Sequence, residues 1–270
     1  MTRLTSGFSA EIRSTISRGP TIPSGQFSHD NSAGPPDLLL LFPRESRPDA
    51  TQIRNAVSLA DDLTISAEDN DGEWMELLST GLTFDCSGFA PGPARQVPPI
   101  RHWVAGGEAV TGLDAVGIGL GRHIRAGQGM IPILRVLLGV ASRLTQKLDG
   151  CLGVNWLASG LAVHSKTFIE MVERFDGTGP MPMALLLATE VERDGALATT
   201  GLRYFTGQEL SLEPGIGDDQ GQRIILAQRI AAQLVHRGQL EAAEESVGPD
   251  GTVLCLSPAP DGTRVIVRAG

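Results

Sequence analysis

Three polar side chains interrupt an otherwise apolar stretch in the second half of this chain. Asn155, Ser159 and His164 lie close together in sequence. A serine hydroxyl paired with a histidine base is the basis of nucleophilic hydrolysis, provided that the fold brings both to one rim. The pair Ser159-Gly160 lacks the G-x-S-x-G frame of a nucleophile elbow, and His164 equally fits a partly exposed loop. The three residues define a hydrolase hypothesis, and a polar loop is its alternative.

Paired carboxylates recur further along the chain. Glu190/Glu192 and Glu209/Glu213 have the even spacing that places side chains on one face of a strand. Such pairs do acid–base chemistry or bind divalent cations, so Glu209 and Glu213 are candidate ligands for calcium or magnesium. A solvated sheet face explains the same spacing. The acidic run at 241–245 indicates an exposed helix end with nothing facing it.

A glycine-rich run at 117–121, Gly-Ile-Gly-Leu-Gly, raises the question of a nucleotide cofactor. The dinucleotide fingerprint needs its third glycine one position later, at the opening of a helix. Here Arg122-His123 follows at once, and Gly127 and Gly129 interrupt any helix that begins there. The run therefore predicts a strand whose glycines permit close packing, and no cofactor is expected.

The three cysteines, Cys86, Cys151 and Cys255, are widely separated and odd in number. No Cys-x-x-Cys or Cys/His spacing accompanies them, so the sequence indicates neither a zinc site nor a disulfide framework. Free thiols of this kind persist in reducing compartments. We therefore expect buried free cysteines and a cytoplasmic location.

The charge balance narrows the class of partner. Lys+Arg 22 against Asp+Glu 31 gives a net charge of −9, which disfavours binding to a nucleic-acid backbone. The strongest apolar runs, 38–42 and 181–188, are far shorter than the ~20 residues of a membrane-spanning helix. Residues 1–36 are rich in Ser, Thr, Gly and Pro, which is typical of a flexible tail. A protein partner stays open, whereas nucleic acid and membrane are not expected.

The elements that must position these residues begin at Asp37. The continuous apolar run at 37–42 suits a central buried strand. Asp49 and Gln52 then form a capping box ahead of a helix. Further predictions are strands beside a turn at 69–72, at 82–86 and at 113–120, and a short helix over Arg101–Ala109.

The second half carries the clearest helical patterns. A stripe of leucines from Leu134 to Leu148 predicts one long helix, and Ser165 is predicted to cap a second. Strands at 183–191 and 197–205 are expected to form a hairpin around Asp194-Gly195, because Asp-Gly favours tight turns. The remaining predictions are a strand at 208–212, a helix at 224–240, and a closing hairpin of 252–256 with 264–267.

Several of these segments resemble one bacterial family. The motifs are Gly153-Val-Asn-Trp156 with Ser159-Gly160, Phe168, Ala184-Leu-Leu-Leu187, Thr200-Gly201-Leu202 with Phe205, Glu209-Leu210, and Asp250-Gly251-Thr252. They are similar to the family described as domain of unknown function 4261, mainly over 130–256 and more weakly over 38–63, while 105–129 departs from it. The resemblance implies a compact α+β protein of the bacterial cytoplasm. It implies no activity and no site residues.

Together these patterns predict one α+β unit over 37–270, with antiparallel or mixed sheets and helices packed on one face. Two ferredoxin-like halves, 37–126 and 127–270, are an open alternative. The primary function hypothesis is a non-enzymatic binding or protein-interaction module, because no convergent catalytic set emerges from the motifs. The alternative is the hydrolase built on Asn155, Ser159 and His164. The oligomeric state stays open.

Overall fold

A computed structural model describes residues 34–104, 112–177, 179–217, 219–248 and 251–270. These residues belong to one compact unit, residues 31–270. Apart from residues 34–36, the predicted tail at 1–36 lies outside the described ranges.

The described residues form fourteen strands and six α-helices. The strands are β1 (Leu38–Pro43), β2 (Thr64–Glu68), β3 (Trp74–Ser79), β4 (Leu82–Ser87), β5 (His102–Val104), β6 (Leu113–Leu120), β7 (Gly153–Trp156), β8 (Leu161–His164), β9 (Ala188–Val191), β10 (Leu197–Thr200), β11 (Glu209–Leu212), β12 (Glu244–Val247), β13 (Val253–Pro258) and β14 (Arg264–Ala269). The helices are α1 (Ala50–Ser58), α2 (Ile131–Lys147), α3 (Ser165–Asp176), α4 (Met183–Leu186), α5 (Arg203–Thr206) and α6 (Gln220–Arg237).

The first sheet contains eight strands in the order β2-β3-β4-β6-β1-β7-β8-β5. Neighbouring strands are antiparallel, except that β5 and β8 run parallel. The central strand β1 is buried on both faces, as its continuous apolar run predicts. Leu38, Leu40 and Phe42 face the larger core, and Leu39 and Leu41 face a smaller one.

Three helices cover one face of the first sheet. Helices α1, α2 and α3 contribute Ile53, Leu137 and Phe168 to the core beneath them. The capping box predicted for α1 is present, because Asp49 accepts from the Gln52 amide at 2.8 Å and the Gln52 side chain accepts from the Asp49 amide at 2.9 Å. The opposite face is covered by the irregular segment that precedes β5.

The second sheet contains six strands in the order β12-β13-β14-β11-β10-β9. Strands β11 and β14 run parallel, and the other neighbours are antiparallel. Helix α6 packs on one face, where its Ala227, Ile230 and Leu234 meet the inward side chains of the strands. The other face of this sheet carries the paired carboxylates described below.

The short helix α4 joins the two cores. Its Leu186 packs against the first sheet, whereas Met183 packs against the second. The predicted α+β class with mixed sheets is therefore confirmed. Both sheets are larger than one βαββαβ ferredoxin-like unit. In sequence, the last strand of the first sheet ends at His164 and the first strand of the second sheet begins at Ala188. The two sheets therefore divide the chain later than the two predicted halves, 37–126 and 127–270, do.

Two of the predicted strands contain short helices. Residues 183–191 divide into α4, which begins at Met183 directly after Pro182, and β9, which begins at Ala188. Residues 197–205 divide into β10 and α5, because Gly201 has a φ of +111° that ends the strand. The hairpin itself is confirmed, since β9 and β10 pair around Gly195 at a φ of +87°.

Two predictions near β8 were wrong. The segment Arg101–Ala109 begins as strand β5 rather than as a helix, because its His-Trp-Val sequence suits pairing with β8; the part after residue 104 lies outside the described ranges. Ser165 does not cap α3, because its hydroxyl donates to the Cys151 carbonyl instead. The N-cap residue is His164, whose side chain makes no capping hydrogen bond.

The C-terminal part follows the prediction more closely. Helix α6 and the β13–β14 hairpin occupy the expected segments. The acidic run at 241–245 is not a helix end, because Glu244 begins strand β12 and forms an ion pair with Arg237 at the end of α6.

Candidate binding groove

The structure brings Asn155 and Ser159 together but not His164. Asn155 Nδ2 donates to the carbonyl of Leu161 at 2.9 Å, and Ser159 Oγ accepts from the Leu161 amide at 3.4 Å. Both side chains therefore hold the turn between β7 and β8. His164 is exposed at the other end of β8, opposite Gly153. At ~3.3 Å per strand residue, Leu161 and His164 are about 10 Å apart along the strand.

Ser159 instead lies against the turn that joins β10 to α5. A Cβ placed on Gly201 would lie 2.9 Å from the Ser159 Cβ and 2.4 Å from the Leu186 carbonyl oxygen. Only glycine fits this approach, and the positive φ of Gly201 adds the same requirement. The two motif segments around Ser159 and Gly201 are therefore in contact, and the contact is one of packing.

Glu209 holds the same turn from the other side. Its carboxylate accepts from the Thr199 hydroxyl at 2.9 Å. It also accepts from three successive backbone amides, those of Gly201 at 2.9 Å, Leu202 at 3.1 Å and Arg203 at 3.2 Å. A carboxylate with this many protein donors has little capacity left for a cation. Glu209 therefore stabilises the turn between β10 and α5.

The remaining carboxylates on this sheet face each have an arginine partner. The pairs are Glu190–Arg101 at 3.6 Å, Glu192–Arg264 at 2.9 Å and Glu213–Arg268 at 2.7 Å. The spacing predicts that the two glutamates of each pair share one face, but Glu209 and Glu213 have separate partners. Within the described residues, no three His, Cys, Asp or Glu side chains form a group that could hold a metal ion.

Gly117 and Gly119 lie inside β6 and pack against the segment that leads into β1, whereas Gly121 directly follows β6 and packs against Thr83 of β4. A Cβ on Gly117 would lie 3.0 Å from the Pro36 side chain, and a Cβ on Gly119 would lie 2.8 Å from the Pro35 carbonyl oxygen. A Cβ on Gly121 would lie 2.6 Å from the Thr83 carbonyl oxygen. These glycines therefore serve close backbone packing within a strand rather than the opening of a helix.

A buried carboxylate at the start of β1 was not singled out by the sequence patterns. Asp37 Oδ2 accepts from the Leu120 amide at 2.8 Å, and Oδ1 accepts from the Tyr204 hydroxyl at 3.1 Å. Burial raises the pKa of Asp37 above its usual range, although these hydrogen bonds and the nearby Arg125 act in the opposite direction. Tyr204 also packs edge-on against the Trp156 ring, with centroids 4.9 Å apart. This cluster ties α5 to the first sheet.

Two of the cysteine thiols are held in their neutral form. Burial raises the pKa of Cys86 to about 12 and that of Cys151 to about 11. Because the thiolate is the reactive species, neither side chain is prepared for nucleophilic chemistry.

The polar groups above are used in holding the fold, and the surface feature best suited to binding lies elsewhere. A groove of about 540 Å³ opens between α3 and α6. Its apolar part comes from Met171 on α3, from Ala232 on α6 and from the connecting segment Pro180–Ala184. That segment includes Met181 and Met183, so three of the six methionines of the chain line one groove.

The edge of this groove is cationic. Arg174 projects from α3, and Arg229 and His236 project from α6. Among the described residues that line the groove, none is acidic. All three edge residues are exposed. We refer to this feature as the methionine groove.

A second apolar pocket of about 440 Å³ lies at the far end of the second sheet, beside Ile216, Ile225 and Leu254. Its described lining residues include no charged side chain, because they are apolar residues, glycines, Gln222 and Thr252. The methionine groove is thus distinguished by combining apolar surface with a charged edge.

Sequence patterns did not identify the methionine groove. The available signal was the Pro-Met-Pro-Met run at 180–183, which follows Met171 closely in sequence. The sequence pattern instead predicts that Met183, the last residue of this run, begins a strand. Methionine is unbranched and polarisable, and it is frequent at surfaces that adapt to several partners.

No family model, curated protein or solved structure matches this chain. The resemblance to the domain of unknown function 4261 family therefore stays a prediction. No helix in the described ranges is both long and apolar enough to cross a membrane.

Proposed function

We propose that this protein is a non-enzymatic interaction module that binds a segment of a partner protein in the methionine groove. The observation that carries the proposal is the convergence of Met171, Met181 and Met183 on one open groove between two helices. Their thioether side chains offer apolar contact without imposing a single shape on the partner.

The exposure of the groove supports binding rather than simple core packing. Met183 is buried in the second core, whereas Met171 and Met181 are only partly buried beside the first. Pro180 in the connecting segment is exposed. A partner that covered these side chains would bury apolar surface that the fold leaves exposed. Such burial stabilises a complex by ~25 cal/mol per Å² of apolar surface.

The structural partners of the polar residues also support a non-enzymatic role. Asn155 and Ser159 bond to the β7–β8 turn, and Glu209 bonds to the turn before α5. Each side chain is committed to backbone groups of its own fold. Displacing any of them for catalysis would leave those backbone groups without partners.

We place this module in a bacterial cytoplasm. The support is the presence of three free cysteines, Cys86, Cys151 and Cys255, within the described residues. Free thiols of this kind are retained in reducing compartments.

The proposal is tested with peptides selected from a random display library against the whole protein. Binding of the selected peptides is then measured to Gln233→Trp, which places a bulky side chain in the groove. The matched control is Gln220→Trp, an exposed glutamine on the same helix that does not line the groove. We expect the first variant to weaken binding about tenfold or more and the second to leave it unchanged. Equal binding by both variants would contradict the proposal.

A further inference from the structure

The charge around the methionine groove indicates what kind of segment it binds. Resting on the proposed function, we infer that the partner segment is an acidic amphipathic helix, which lays an apolar face on the methionines and carboxylates on the cationic edge. The inference rests on the charges at the edge and on the shape of the groove.

The edge charges are opposite in sign to the protein as a whole. The chain carries a net charge of −9, yet Arg174 and Arg229 line the groove and no acidic residue does so among those described. Neither Arg174 nor Arg229 forms an ion pair within the described part of the chain, whereas five other pairs are formed there. Two guanidinium groups are therefore available to carboxylates of a partner.

The groove also has the dimensions of a short helical contact. Its α6 wall runs from Gln228 to His236, which at 1.5 Å per residue spans about 12 Å, or roughly two helical turns. Apolar residues at i, i+3 or i+4, and i+7 of a bound helix cover about the same length. Arg229 and His236 are themselves seven residues apart on α6, so a guanidinium group and an imidazole lie near the two ends of this wall.

The elements around the groove favour a helix over an added strand. Its lining residues come from α3, from α6 and from the segment 180–184, and none of them belongs to a strand. Strand addition needs a row of free backbone groups at a sheet edge. A helix instead satisfies its own backbone and needs only an apolar surface, which Met171, Met181 and Met183 provide.

The test uses three synthetic helical peptides with the same leucine and methionine positions. Their flanking positions carry glutamate, glutamine or lysine, and binding to the whole protein is followed by fluorescence anisotropy. We expect the glutamate peptide to bind about fivefold to tenfold more tightly than the glutamine peptide at low salt, and this advantage to shrink at high salt.

Charge reversal tests whether the two groove arginines cause the preference for the glutamate peptide. The double variant Arg174→Glu/Arg229→Glu is expected to favour the lysine peptide. The double variant Lys147→Glu/Lys166→Glu is the matched control, because it also reverses two exposed positive charges, on α2 and α3, outside the groove. The expected result is that this control keeps the preference for glutamate.

The outcomes separate the inference from the function on which it rests. If the glutamine or lysine peptide binds best and Gln233→Trp abolishes that binding, the groove is a peptide site but its partner is not acidic. If display-selected peptides also ignore Gln233→Trp, the proposed function fails as well. Displacement of the glutamate peptide by dodecanoate, with tighter binding of the fatty acid than of any peptide, would overturn the inference in favour of a lipid ligand.

Discussion

The hydroxyl of Tyr204 donates a hydrogen bond of 3.1 Å to Oδ1 of the buried Asp37, across 167 residues of chain. Asp37 directly precedes β1, the central strand of the first sheet. Tyr204 lies on the short helix α5, which follows strand β10 of the second sheet. The contact therefore ties α5 to the first sheet, and neither of its residues lines the methionine groove. Its energetic role can be tested independently of binding.

Removal of this hydrogen bond should lower the stability of the whole unit. We expect Tyr204→Phe to reduce the free energy of unfolding by about 1–2 kcal/mol, because a buried carboxylate oxygen loses its donor while the ring packing against Trp156 is kept. Urea unfolding measures the change. An unfolding free energy within error of the wild-type value would show that the contact is not formed in solution.

The raised pKa of Asp37 gives the stability a specific pH dependence. The folded state holds the Asp37 proton more tightly than the unfolded state, whose carboxyl has its ordinary pKa of 3.8. The stabilising contribution of this group is therefore full below pH 3.8 and is lost as the pH rises through the higher pKa of the folded state.

The Asp37→Asn variant isolates this effect, because asparagine does not ionise. Urea unfolding over a pH series should show wild-type stability declining relative to the variant as the pH rises above 3.8. Parallel pH profiles for the two proteins would mean that the pKa of Asp37 is not raised in the folded state.

Gly201 should tolerate no side chain. Gly201→Ala is expected to cost about 3 kcal/mol or more, because the new methyl group meets the Leu186 carbonyl at 2.4 Å and the backbone keeps a positive φ. Gly207→Ala is the matched control: Gly207 has a φ of +77°, but nothing lies within 4 Å of the added methyl. The control should cost only about 1 kcal/mol. Thermal or urea unfolding of both variants measures the difference, and equal losses would rule out the steric contact.

The carboxylate of Glu209 should matter more than that of Glu213. Glu209→Ala leaves three backbone amides and the Thr199 hydroxyl without their acceptor, so we expect a loss of about 2–3 kcal/mol in urea unfolding. Glu213→Ala removes one exposed ion pair with Arg268 and should cost less than about 1 kcal/mol. If calcium or magnesium raised the melting temperature of the wild type and not of Glu209→Ala, a cation role for Glu209 would replace the structural one.

The parts of the fold that were predictable are those with a local signal. The apolar run of β1, the capping box of Asp49 and Gln52, and the helical stripe of α6 each lie within one segment. The sequence predicts strands at the four-residue helices α4 and α5, because these helices are too short to show a helical period within apolar runs. Strand β5 depends on its pairing with β8, which no local pattern reveals.

The site residues were harder to predict for the same reason. Asn155, Ser159 and His164 are close in sequence, but Ser159 lies at the turn before β8 and His164 lies at the far end of that strand. The residues of the methionine groove are instead far apart in sequence, because they come from α3, the segment 180–184 and α6. Only the fold brings its apolar and cationic residues together.

The most direct measurement of the central claim is a nuclear magnetic resonance titration of the methionine methyl groups with the glutamate peptide. Met171, Met181 and Met183 line the groove, whereas Met75 is buried in the first core and Met130 is exposed outside the groove. We predict that the signals of the three groove methionines shift together as the peptide binds, while those of Met75 and Met130 stay in place. Binding that shifted only Met130, or that left all three groove signals unmoved, would contradict the account.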